Sequence, residues 1–204
     1  MYRACWAATF VCALLLMSFS ISDTRIYIGY SAAAALTAAL IIDGSGSIAL
    51  CMMAAALHEL GHLIMMRCFC VKITGISLRL FDARIEAAPA SSFTADICIA
   101  LGGPVMNLVL AGCSFFLSRV FCYANLALGI FNLMPIMSLD GGRVLYLVLS
   151  RRFSPRTCAA VLKFTSFVIL LPLLTAGITI LFRSGYNYSL LAVSLYLLAI
   201  LVLK

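Results

Sequence analysis

Apolar residues fill long stretches of this chain, and polar ones gather into a few short breaks between them. A hydrocarbon core about 30 Å thick is crossed by roughly 20 consecutive apolar residues in a helix. Runs of that kind predict spans at residues 4–21, 26–42, 47–69, 93–118, 120–137, 158–182 and 188–203. The expected fold class is an all-α polytopic membrane protein of about six to seven transmembrane helices with a small β-hairpin at the membrane surface. Arg3 precedes the first run, and no convincing small-x-small site follows it. A retained helix is the reading there, with a signal peptide as the alternative.

The longest polar interruption covers residues 71–92. Within it Ile76, Leu78 and Leu80 alternate with Ser77 and Arg79, the period of a strand, and a second short strand over residues 83–88 would complete the hairpin. A second break, residues 132–142, carries Pro135, Gly141 and Gly142. Irregular backbone at membrane depth is tolerated where protein buries it or where it lines a wet cavity, so this break points to function. The expected organisation is a single membrane-embedded domain over residues 1–204, with an extra N-terminal span in 1–25, a core in 26–163 and C-terminal spans in 164–204.

Composition agrees with a lipid environment: 65% of residues are hydrophobic and 10% charged, with a mean hydropathy of +1.15. The formal net charge of +7 resides in basic residues that flank the spans without interleaved aromatics. The positive-inside rule accounts for them, and no nucleic-acid partner is expected. With all seven spans as helices, that rule sets the N-terminus outside and the C-terminus inside. Nine cysteines lie scattered without a CxxC pair and read as buried, reduced thiols.

His58 and His62 are the only histidines, and they stand four apart around Glu59 in one apolar run. On a helix the two imidazoles share a face and can grip one metal, with Glu59 beside it to take a proton from water. Catalytic zinc uses about three protein ligands and an open position. The third comes from a carboxylate or a cysteine. Asp140 is the candidate, because the proline and glycine break can aim it inward and an intramembrane carboxylate is costly without a function. Capping of the helix that starts near Gly141 is the alternative role for Asp140.

The HELGH string, His58 to His62, and the later segment from Asn132 to Gly142 together resemble the site-2 protease family of intramembrane zinc metalloproteases, peptidase family M50. The run from Gly102 through Pro104 to Asn107 resembles that family's glycine-proline-asparagine segment, and FNLMPIMSLDGGRV resembles its stage IV sporulation protein FB branch. Two departures stand out: Ser138 occupies a usual proline position, and the branch's nucleotide-sensing CBS domain has no counterpart in this sequence.

The resemblance implies a metalloendopeptidase with one zinc ion held by His58, His62 and Asp140, and Glu59 as the catalytic acid-base. It implies substrate-binding roles for Asn132 and Pro135, and structural support from Gly102, Pro104 and Asn107. The implied partners are a membrane-bound protein substrate such as a sporulation pro-sigma or anti-sigma factor, a membrane regulatory partner, and the lipid bilayer. The implied location is multi-pass, in a bacterial cell membrane or the membrane surrounding a forespore. A divalent-metal transporter and an inactive membrane adaptor are the alternatives from other classes.

Overall fold

The computed structural model describes residues 16–21, 24–29, 37, 41, 43, 45–79, 82–88 and 92–203. Among these residues six helices and four strands are formed: β1 (Leu16–Ile21), β2 (Thr24–Gly29), α1 (Ser47–Cys68), β3 (Ile73–Arg79), β4 (Asp82–Ala87), α2 (Phe93–Ser114), α3 (Arg119–Asn132), α4 (Asp140–Ser150), α5 (Pro155–Ser184) and α6 (Ser189–Leu203). Three of the helices, α1, α2 and α5, are long and apolar enough to cross a membrane.

The strands make one sheet in the order β1-β2-β3-β4. β1 and β2 pair antiparallel, β2 and β3 run parallel with Ile26 opposite Ile76, and β3 and β4 form an antiparallel hairpin. Two of the spans expected from hydropathy are corrected here. The run at 4–21 ends in β1 and its earlier part lies outside the described residues. The run at 26–42 begins inside β2, and most of its remainder also lies outside them. The physical reason is that an apolar run reads alike for a helix and for a strand, and a short two-residue period, such as Phe19 and Ile21 alternating with Ser18 and Ser20, is easily lost inside it. The expected orientation of the chain ends, which needed both runs as helices, therefore does not follow.

Two further expected spans are shorter than drawn. α3 has 14 residues and α6 has 15, which at 1.5 Å per residue fall short of a bilayer of about 30 Å. α3 stops at Asn132 because the chain there enters the proline-containing break.

The polarity of the helical layer is inverted relative to a water-soluble protein. Phe116, Phe164, Val109 and Phe182 face outward, while Asn107, Asn125, Ser166 and Ser194 are buried. Cysteines follow the outer surface more than expected: Cys122 and Cys158 are buried, whereas Cys51, Cys68, Cys70 and Cys113 are exposed.

Local chemistry fixes the helix starts. Asp43 accepts from the Ile48 amide at 2.6 Å and from the Ser45 hydroxyl at 2.6 Å, at the entry to α1. The Ser45 hydroxyl first, and then the Ile48 amide, hold the Asp43 carboxyl below the ordinary carboxylate range. Ser92, Ser118 and Ser154 cap α2, α3 and α5 through their side-chain oxygens.

Candidate metal centre

α1 and α2 lie in backbone contact. A Cβ built on Gly61 would strike the Gly102 carbonyl oxygen, and one on Gly102 would lie 2.7 Å from the Gly61 oxygen. Small residues permit such an approach between membrane helices. The close pairing presses the α1 face that carries His58 and His62 against Gly103 of α2. A Cβ on Gly103 would meet Nε2 of both imidazoles.

Asp140 reaches the same point from the other side. His58 Nε2 stands 3.0 Å and His62 Nε2 3.4 Å from Asp140 Oδ2, and the two Nε2 atoms are 3.2 Å apart. Ligands at 2.0–2.1 Å from a tetrahedral zinc are about 3.3 Å from one another, so this donor set fits a metal. Asp140 is the first residue of α4, whose N-cap is Leu139 with no side-chain cap. Its carboxylate is directed to the imidazoles, so the capping alternative falls away.

The tautomer of His62 follows from its other nitrogen. Nδ1 lies 2.7 Å from the Ile99 carbonyl oxygen, which only accepts, so Nδ1 carries the hydrogen and donates. Nε2 is thereby left with its lone pair for a metal. The Gly103 amide, 3.4 Å from the same Nδ1, cannot donate to a nitrogen that is already protonated.

The break between α3 and α4 is held by three devices. Ile136 is buried against Leu170 of α5 and Leu197 of α6. The Met137 amide donates to Ser166 Oγ at 2.8 Å, and Thr165 Oγ1 donates to the Pro135 carbonyl at 3.2 Å. Finally the loop folds back over the start of α4, where a Cβ on Gly141 would strike the Leu133 oxygen and one on Gly142 the Ile136 oxygen. Those neighbours are backbone and cannot rotate aside. Gly142→Ala is expected to cost about 1–3 kcal/mol, the usual range for overpacking, read as a lower midpoint of thermal unfolding in detergent.

α4 is tied to α2 as well. Arg143 pairs with Asp96 at 3.8 Å, and the Arg151 guanidinium lies 4.0 Å above the Phe93 ring. Arg143 and Arg151 belong to the basic residues that the sequence reading left as flanks of the spans.

The remaining expected site residues fall as follows. Glu59 is half-buried on α1 beside His58. Asn132 ends α3, with its side-chain nitrogen donating to the Leu128 carbonyl at 3.1 Å. Pro135 sits in the break, its carbonyl held by Thr165. Gly102 and Pro104 line the helix contacts, with the Pro104 oxygen 3.3 Å from a Cβ built on Gly129 of α3. Asn107 is wholly buried. Thr165 and Ser166 are the positions that the sequence reading did not single out for the site. Gly103 belongs to the glycine-proline-asparagine run and packs against the site helix as that run implied, whereas nothing in the sequence marks Thr165 or Ser166.

Comparison with known proteins places this geometry. The profile of peptidase family M50 matches residues 117–173, which include α3, the break and Asp140. The zinc metalloprotease MJ0392 of Methanocaldococcus jannaschii is 28% identical over 152 residues, covering 65% of this chain and 44% of that protein. Stage IV sporulation protein FB of Bacillus subtilis is 28% identical over 125 residues, covering 55% of this chain and 43% of that one. The chain thus spans less than half the length of the curated relatives it matches. The solved site-2 protease from Methanocaldococcus jannaschii shares the fold, with a TM-score of 0.65 at 22% identity over 89% of this chain and 91% of that one. The two motifs in order, the profile matched over residues 117–173 and the shared fold all liken the chain to the site-2 protease family, peptidase family M50.

Proposed function

We propose that this protein is an intramembrane zinc metalloendopeptidase that cuts a membrane-embedded or membrane-associated regulatory protein. The observation that carries the reading is the convergence of His58 Nε2, His62 Nε2 and Asp140 Oδ2 within 3.0–3.4 Å, with Glu59 on the same helix turn. His58, His62 and Asp140 would hold one zinc ion per chain. Zinc bound there supplies Lewis acidity, polarising a peptide carbonyl and lowering the pKa of water toward neutrality.

Glu59 takes a proton from water as the water oxygen adds to the carbonyl carbon. It returns that proton to the amide nitrogen as the carbon–nitrogen bond breaks. A helical substrate hides its peptide groups in internal hydrogen bonds and is cut only where it unwinds. Asn132 and Pro135, in the break that leads to Asp140, would hold such an unwound segment, since an asparagine side chain can hydrogen-bond peptide groups. Among the described residues β4 pairs with β3 alone, so its outer edge offers main-chain groups to an extended substrate.

Similarity to stage IV sporulation protein FB makes a membrane-tethered sporulation pro-sigma factor the first substrate to try, followed by anti-sigma factors. A bacterial cell membrane or the membrane around a forespore is the matching location. The test is cleavage of such co-reconstituted substrates by the purified protein before and after chelation. Product is expected with the loaded protein, none after chelator, and recovery on adding zinc. Cleavage that persists without metal would overturn the reading, and zinc accumulation inside vesicles without any cleavage would favour transport.

A further inference from the structure

Four buried side-chain atoms among the described residues lack a hydrogen-bond partner: His58 Nδ1, Asn107 Nδ2, Asn107 Oδ1 and Asn125 Oδ1. They belong to three helices in mutual contact, α1, α2 and α3. Asn107 and Asn125 are both wholly buried. Buried polar groups in native proteins are nearly always satisfied by protein or by ordered water.

The contacts bring these atoms to one level. Gly61 of α1 meets Gly102 and Met106 of α2, and Met65 meets Gly102, so the helices run antiparallel with Asn107 opposite the turn of His58. Gly103, one turn before Asn107 on the same stripe, already faces His58 Nε2 and Cε1. On the other side Gly129 of α3 rests on Leu108 and on the Pro104 carbonyl, which places Asn125, one turn earlier, beside the Asn107 turn. Ala54 and Ala111, both buried, are the small neighbours on the same stripes.

We propose that His58 Nδ1, Asn107 and Asn125 enclose a buried water, and that Asn107 is through it a positioning residue for the metal centre. The proposal rests on His58 being a metal ligand. With Nε2 turned to the metal, Nδ1 carries the hydrogen and needs an acceptor. The water accepts from Nδ1–H and donates to Asn107 Oδ1 and Asn125 Oδ1, giving the three bonds usual for a buried water. Asn125 Nδ2 already donates to the Phe121 carbonyl at 2.9 Å, which leaves Asn125 Oδ1 as the atom that side chain offers the water. His62 has a carbonyl partner behind it, and this arrangement gives His58 the equivalent.

The experiment is zinc affinity of the purified full chain in micelles, read by competition with a chromophoric chelator, alongside thermal unfolding of the metal-free protein. Asn107→Leu is expected to weaken zinc binding about 10–100-fold, the range seen when the partner of a ligating histidine is lost. Its unfolding midpoint should hold or rise, because buried polar atoms without direct partners are replaced by an apolar group of similar size. Asn107→Asp, which keeps the acceptor, should bind zinc near the wild-type level. Unchanged affinity in Asn107→Leu, or equal losses in both variants that follow a fall in stability, would overturn the proposal. If Asn107→Leu does not fold, Asn125→Leu gives the same readout: weaker zinc supports the shared water and unchanged zinc overturns it. A wild-type chain that binds no zinc would instead overturn the metal reading, and this proposal with it.

Discussion

Glu59→Gln is expected to lower cleavage about 10²–10⁴-fold, the usual worth of a positioned acid-base group, while zinc stays bound. Glutamine keeps the shape and the hydrogen-bonding reach of the side chain but cannot hold the transferred proton. The three donor atoms that converge on the metal position belong to His58, His62 and Asp140, so zinc content should not follow Glu59. The measurement pairs product formation with metal analysis on the same preparation. Wild-type rates would remove Glu59 from the mechanism. Loss of zinc together with activity would make it a ligand, a role for which the structure already supplies three other groups.

The arrangement behind that prediction is legible in the sequence, because a histidine pair four apart fixes a shared helix face and places the intervening glutamate beside it. Asp140 was legible for a different reason: it is the carboxylate lying in a proline and glycine break of an otherwise apolar region. What hydropathy could not resolve was short strands. β1 and β2 have six residues each, and apolar side chains in so short a segment speak equally for a helix or a strand. Parallel pairing of β2 with β3, across a connection that includes the whole of α1, is a tertiary fact that no local period reports.

The supports of the site were illegible for a related reason. Ser166 sits on α5, where a serine normally donates back to the carbonyl four residues earlier, as it does to Leu162 at 2.7 Å. Its second contact, accepting the Met137 amide, arises only because Ile136 buries against Leu170 of the same helix. Sequence spacing shows the first bond and hides the second. The inverted polarity makes such contacts decisive: with lipid outside, apolar burial does little to bring helices together, and close backbone approach and interhelical hydrogen bonds set the geometry.

Gly103→Ala tests that geometry where it meets the metal centre, and it is expected to weaken zinc binding on the order of 100-fold or more, since a site tolerates only about 0.2 Å in its ligand distances. A Cβ there would strike His62 Nε2 and lie 2.7 Å from His58 Nε2 and 2.8 Å from His58 Cε1, closer than real Cβ contacts come. The struck atoms are the ends of rotatable side chains, so the fold can absorb the methyl group by turning both imidazoles away. Turning them away removes two of the three donors. Zinc should therefore be lost with little change in the unfolding midpoint of the metal-free protein. Gly102→Ala differs because its Cβ would press on the Gly61 carbonyl, which is backbone, and so should lower that midpoint by pushing α1 and α2 apart. Gly112→Ala meets nothing within 4 Å and should change neither quantity. Wild-type zinc affinity in folded Gly103→Ala would show that the imidazoles are not held against α2 where this structure puts them.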